Sequence, residues 1–218
     1  MHRLSPSLVT LLVTLAITTT VRADEGFKPL FNGKDLTGWS GLMKDPAADP
    51  AKTFLVEDGL LRVTGKPNGY LATMEAYGDY VLRVKWRWVA GSKGGNSGVL
   101  IHVVPEDKYW PKSIEAQLKT GDAGEIWLID APKIEIDEAR HSKTSPRRYH
   151  KMIDENVERP IGEWNQYEIT CRGDEIKISV NGKLVNEARK SELTKGRIAL
   201  QSEGAEIHFK DIELKPLK

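Results

Sequence analysis

The stretch "KSIEAQL" carries two groups able to act on a bound molecule, Glu115 and Gln117. In a β-strand, which rises about 3.3 Å per residue, they share one face and stand about 7 Å apart. A carboxylate can take or give a proton; a carboxamide cannot ionise and can only orient a substrate or hold it by hydrogen bonds. Glycosidase chemistry needs two carboxyls, about 5 Å apart with retention or about 6.5–9.5 Å apart with inversion. Glu115 and Gln117 do not supply that pair. A second stretch, "KIEIDEAR", places Glu135 and Asp137 on one face, as in the E-x-D-x-E strand of sandwich-fold glucanases. The third carboxylate of that pattern is replaced by Ala139, and Glu138 points the other way. The segment reads as a polar strand end.

Histidine is the side chain whose ordinary pKa lies near neutrality, which suits it to proton abstraction. In "GGNSGVLIHVV", His102 shares its parity with Asn96, Gly98 and Leu100, so a strand there sets it beside Asn96. A histidine among apolar strand residues is more often a satisfied structural group, and His102 is kept as a candidate base against that reading. His141, His150 and His208 show no H-x-H or H-x-x-x-H spacing, so spacing supports no transition-metal site. No cofactor is expected, although ligands distant in sequence could converge on a divalent ion. There is no phosphate-binding loop, dinucleotide fingerprint or nucleophile elbow. Trp127, in "EIWLID", shares a face with Glu125 and Ile129 and is a candidate for stacking on a ring. Trp110 stands beside Tyr109 in a loop and could do the same, whereas Trp86 and Trp88 alternate with charged residues as core positions do.

The elements that must position these residues are strands. "DYVLRVKWRWVA" puts Tyr80, Leu82, Val84, Trp86 and Trp88 on one face and Arg83, Lys85 and Arg87 on the other. "SGVLIHVV", "EIWLID", "WNQYEITCR", "EIKISV", "KLVNEA", "GRIALQS" and "EIHFKDIEL" repeat the period of two between Gly, Asp, Asn and Pro punctuation. Asn181-Gly182, between two such runs, predicts a type I′ hairpin turn. Many short strands with few helical stretches predict a two-sheet sandwich. Two segments depart from it: a Pro/Asp/Ala-rich loop over Leu42–Thr53 and a long polar insertion over Asp137–Glu163, of a kind often functional.

Residues 1–23 read as an export signal, with a basic start, a short apolar core and a small-residue pattern ending at Ala23. The apolar core is too short to span a bilayer, which takes about 20 residues. An exported chain, periplasmic or extracellular, is expected, without a lipid anchor since no cysteine stands near the cleavage site. Residues 24–218 form one expected domain. Loss of the two arginines Arg3 and Arg22 takes the formal charge from +1 to −1, so nothing electrostatic favours nucleic acid or an anionic membrane. Cys171 is the single cysteine; it can form no internal disulfide and reads as a small buried hydrophobe. The sequence carries no signature of a particular oligomeric state.

Taken in order, "GFKPLFNGKDLTGWSG", "VEDGLLRVTG", "GYLATMEAYGDYVLRVKWR", "GGNSGVLIHV", "KSIEAQL", "GEWNQYEITCRGDEIKISVNGKLVNEA" and "GRIALQSEGAEIHFKDIELKPL" resemble the 3-keto-disaccharide hydrolase domain family. The resemblance covers about Phe27 to Leu217. It implies a concanavalin A-like jelly roll of two antiparallel sheets and action on sugars whose C3 hydroxyl has been oxidised to a ketone. A C3 ketone acidifies the C2 proton, and the C1–O bond, β to the carbonyl, can then leave by elimination. Such a route needs one base and groups that stabilise the enolate. By position in the family's motifs, the resemblance points to Arg87, Asn96, Glu115, Gln117 and Gln201, with Glu115 or His102 as base. Glu203 occupies the place where the family often has a histidine. Two other readings stand beside it: a non-catalytic carbohydrate-binding sandwich, and a conventional glycoside hydrolase pairing Glu115 with a distant carboxylate such as Glu203.

Overall fold

The structure is a computed structural model that describes residues 26–105 and 108–218. The export signal read over residues 1–23 lies outside them. Among the described residues no helix is long and apolar enough to cross a membrane. Among the described residues fifteen strands run in chain order: β1 (Lys28–Pro29), β2 (Trp39–Met43), β3 (Phe54–Glu57), β4 (Leu60–Val63), β5 (Gly69–Thr73), β6 (Tyr80–Trp88), β7 (Gly98–Val103) and β8 (Ser113–Gln117). They continue as β9 (Ile126–Ile129), β10 (Arg148–Tyr149), β11 (Asn165–Arg172), β12 (Glu175–Val180), β13 (Lys183–Ala188), β14 (Arg197–Ser202) and β15 (Ile207–Pro216).

The strands pair antiparallel in two sheets, as expected of a jelly-roll sandwich. One has the order β13-β12-β11-β6-β15-β4-β3, with β1 on β15; the other has the order β10-β9-β8-β7-β14-β5-β2. The apolar parity of each strand lies between the sheets. Trp86, Tyr167, Leu61, Leu82, Phe209, Ile101 and Ile114 are all buried there, and the Trp86 and Tyr167 rings pack with centroids 4.6 Å apart. Each such large apolar side chain contributes about 1.5–3 kcal/mol on leaving water. The predicted hairpin joins β12 to β13, with Asn181 at φ 50° and Gly182 at φ 84°.

Core packing sets the register of β8. Ile114, Ala116 and Leu118 belong to the inter-sheet core, so Ser113, Glu115 and Gln117 take the outer face. A slip of one residue would exchange the two sets, burying Glu115 between the sheets. The pairing then lays out two rows across this outer face. The first runs Ser40, Ala72, Ala199, Leu100, Glu115, Trp127 and Arg148. In the second, Leu42, Tyr70 and Gln201 lead to Gly98 and Gln117. The polar insertion over Asp137–Glu163 supplies β10 and so completes this sheet at one edge.

Candidate functional site

Gly98 is the centre of the site. A Cβ on Gly98 would collide with both Glu115 Oε1 and Gln201 Oε1. The glycine therefore leaves the space into which two side chains, from β8 and β14, lean from either side. Glu115 is only 5% exposed and Gln201 only 1%, although both stand on the outer face. Burial, and after it the neighbouring negative charge of Glu203, raise the Glu115 carboxyl well above its usual range; a hydrogen bond with Gln201 opposes them. A carboxyl raised in this way is a stronger base than an exposed glutamate once it has lost its proton.

The surrounding groups are held by the backbone. Gln117 Oε1 accepts hydrogen bonds from the Leu118 and Lys119 N–H groups, each at 2.9 Å. This fixes the carboxamide and leaves its NH2 as the free donor. Ser97 Oγ donates to the Gln201 carbonyl at 2.9 Å, tying the start of β7 to β14. Beyond the end of β14, the Glu203 carboxyl is raised by burial, and a hydrogen bond from Asn96 offsets part of that rise. The Glu203 charge also reaches the Tyr109 hydroxyl. Tyr109 packs on Trp110 with ring centroids 4.4 Å apart.

Several buried polar atoms of this face have no hydrogen-bond partner among the described residues: Glu115 Oε1, Gln201 Oε1, Asn96 Oδ1 and Trp127 Nε1. Buried polar atoms are normally satisfied, and leaving one unpaired costs about 1–3 kcal/mol. Three acceptors and one indole donor on one face suit a ligand bearing several hydroxyls, since each hydroxyl both donates and accepts. Asn96, Glu115, Gln117, Trp127, Gln201 and Glu203 thus gather on one outer face. Among the described residues no three His, Cys, Asp or Glu side chains form a metal-binding group.

Two expected site residues lie elsewhere. His102 has φ 51° and sits where the register of β7 against β14 shifts. That bulge breaks the strict alternation on which its placement depended: Val103 joins the outer-face cluster of Leu100 and Ala199, and His102 turns inward. Its ring packs edge-on against Tyr80 of the opposite sheet at 5.7 Å, with Nδ1 2.7 Å from the Leu193 carbonyl oxygen. Burial lowers its pKa, and the side chain does not join Glu115 on the outer face. Arg87 belongs to β6 of the other sheet and alternates with the buried Trp86 and Trp88. Its guanidinium lies over the Trp164 ring, 4.6 Å from the centroid, with the whole core between it and Glu115.

Sequence reading missed a further polar group on the same face. Glu125, 3% exposed, accepts two hydrogen bonds from Arg148, Nε to Oε2 at 2.6 Å and Nη2 to Oε1 at 3.0 Å. Its Oε1 also lies 2.8 Å from His150 Nδ1. Arg148 stands opposite Trp127 on the neighbouring strand and reaches Asp122 at 3.2 Å. The only sign of this cluster in the sequence was the length and polarity of the insertion that carries Arg148 and His150. The EIDE stretch is not catalytic in arrangement. Glu135 pairs at the surface with Lys190 at 2.8 Å, and Asp137 caps a short turn by accepting from the Ala139 N–H at 3.0 Å.

Residues 26–215 match the model of the 3-keto-alpha-glucoside-1,2-lyase-like domain family. A Bacteroides thetaiotaomicron protein named 3-keto-disaccharide hydrolase is 27% identical over 166 residues, covering 66% of this chain and 52% of that protein. The chain thus spans about half the length of that curated relative. Among solved structures, a candidate glycosyl hydrolase from Parabacteroides distasonis superposes with TM-score 0.63 at 22% identity, covering 88% of this chain and 95% of that one. A carbohydrate-binding module of Bacillus subtilis superposes with TM-score 0.55 at 15% identity, covering 82% and 95%. These two structures share the fold.

Proposed function

Because the chain belongs to the 3-keto-alpha-glucoside-1,2-lyase-like domain family, we propose that it cleaves glycosides whose C3 hydroxyl has been oxidised to a ketone, with Glu115 as the base. The observation that carries this reading is the single buried carboxyl over Gly98, flanked by two carboxamides and left with an unpartnered oxygen. Removal of a proton next to a ketone asks for one base in a water-poor setting and donors for the developing oxyanion. Glu115 takes the C2 proton, and the C–H electron pair forms the enolate across C2 and C3. The enolate then reforms the ketone, the C1–C2 double bond forms, and the C1–O bond breaks with its electron pair going to the glycosidic oxygen. Addition of water across C1 and C2 completes a net hydrolysis.

The NH2 of Gln117, its oxygen held by two backbone N–H groups, is the donor for the enolate oxygen. Asn96, Gln201 and Glu203 take the hydroxyls, and Trp127 offers an aromatic face to the ring. The test is to incubate the purified protein with a 3-keto-glucoside and follow aglycone release. Wild type should release it, and Glu115→Gln should bind the substrate without turnover. Saturable binding by wild type with no product would indicate a carbohydrate-binding module instead.

A further inference from the structure

We infer that His150, oriented by Glu125, is the acid that protonates the departing glycosidic oxygen and the base that then activates water. This rests on the 3-keto-glycoside reading and adds a second proton-transfer group at the opposite end of the polar face. The pairing of β9 with β10 sets Arg148 against Trp127 and Tyr149 against Ile126. Tyr149 and Ile126 point into the core, so the next residue of each strand, His150 and Glu125, falls on the outer face. Glu125 is likewise adjacent to Gln117, whose N–H donates to the Glu125 carbonyl at 3.0 Å. His150 therefore extends the row that holds Gln201, Gly98 and Gln117. It lies two strand spacings from β8, about 10 Å, a span that a sugar and its leaving group can bridge.

The hydrogen bonding defines the ring. A carboxylate paired with Arg148 can only accept, so His150 Nδ1 donates to Glu125 Oε1 across 2.8 Å. That leaves Nε2 as the working nitrogen, on a side chain that is 47% exposed while Glu125 is 4%. An exposed imidazole with a buried carboxylate behind it is the arrangement by which proteins fix a histidine tautomer and ring orientation. Arg148 and Asp122 complete the charged surroundings of Glu125, and the His150 N–H donates to the Arg140 carbonyl at 2.8 Å. In the elimination the imidazolium gives its Nε2 proton to the oxygen leaving C1. The resulting neutral Nε2 accepts a proton from the water that adds at C1, while protonated Glu115 returns its proton to C2. Protons and electron pairs balance without a co-reactant. Glu125 and Arg148 are positioning residues.

The experiment compares two substrates and two readouts in full-length protein. A nitrophenyl 3-keto-glucoside has a leaving group that needs no acid; a 3-keto-disaccharide has one that does. His150→Gln should lower cleavage of the disaccharide about 100-fold or more and change nitrophenolate release only a few-fold. Exchange of the C2 proton in deuterated water, which reports Glu115, should persist in His150→Gln, and Glu125→Gln should show the same selectivity. Equal losses on both substrates, or parallel loss of C2 exchange, overturn the role of His150 while leaving the 3-keto reading in place. Absence of cleavage of either substrate by wild type overturns that reading and the dyad together.

Discussion

Glu115 and Gln201, on different strands, place their Oε1 atoms over the bare Cα of Gly98, where a single added methyl group would strike both. A glycine inside a strand weakens it and is tolerated where another group must come close. Gly98→Ala should force the two heads apart. We expect a loss of about 1–3 kcal/mol in stability from overpacking, measured by urea unfolding, and a loss of turnover larger than that destabilisation explains.

Glu115→Gln keeps the shape of the side chain and removes its charge. The folded-state pKa of Glu115 is raised above its usual 4.5. The folded protein therefore holds more protons than the unfolded one above pH 4.5, and stability falls as pH rises through the folded value. Unfolding titrations between pH 5 and pH 8 should show that slope in wild type and a flatter one in Glu115→Gln. An equal slope in both would remove Glu115 as the buried acid.

The acid limb has a different origin. Ion pairing with Arg62 lowers Glu206 to about 2, with His208 adding to it. This group contributes stability above its ordinary pKa and loses it as pH falls towards 2. Glu206→Gln should lower stability near neutrality by a modest amount, because the pair is partly solvated. It should also flatten the decline between pH 4.5 and pH 2.

Arg87→Ala separates the two sheets functionally. Arg87 stacks on Trp164 on the outer face of the other sheet, so its loss should cost about 0.5–1 kcal/mol of stability. Steady-state kinetics should find kcat and KM unchanged. A tenfold loss of kcat/KM would place Arg87 in the site after all.

The period of two in β6 and β8 makes the sandwich and the shared face of Glu115 and Gln117 legible in the sequence, because alternation is a direct consequence of strand geometry. The same rule misplaced His102, since a bulge at φ 51° adds a residue without leaving a mark in the pattern. Arg87 was misplaced for another reason: parity says which residues share a face of one strand, never which sheet that strand joins. His150 and Glu125 come together only because a two-residue strand, β10, emerges from a polar insertion with no period of its own. Their partnership is a product of tertiary pairing.

With Glu115 as the proposed base, cleavage depends on a ketone at C3. The most direct measurement sets a 3-keto-glucoside beside the same glucoside unoxidised and follows aglycone release from each by the wild-type protein. Release is expected from the oxidised substrate alone, abolished in Glu115→Gln. Equal release from the unoxidised glucoside would contradict it, and would point to a two-carboxyl hydrolase built on Glu115 and Glu203.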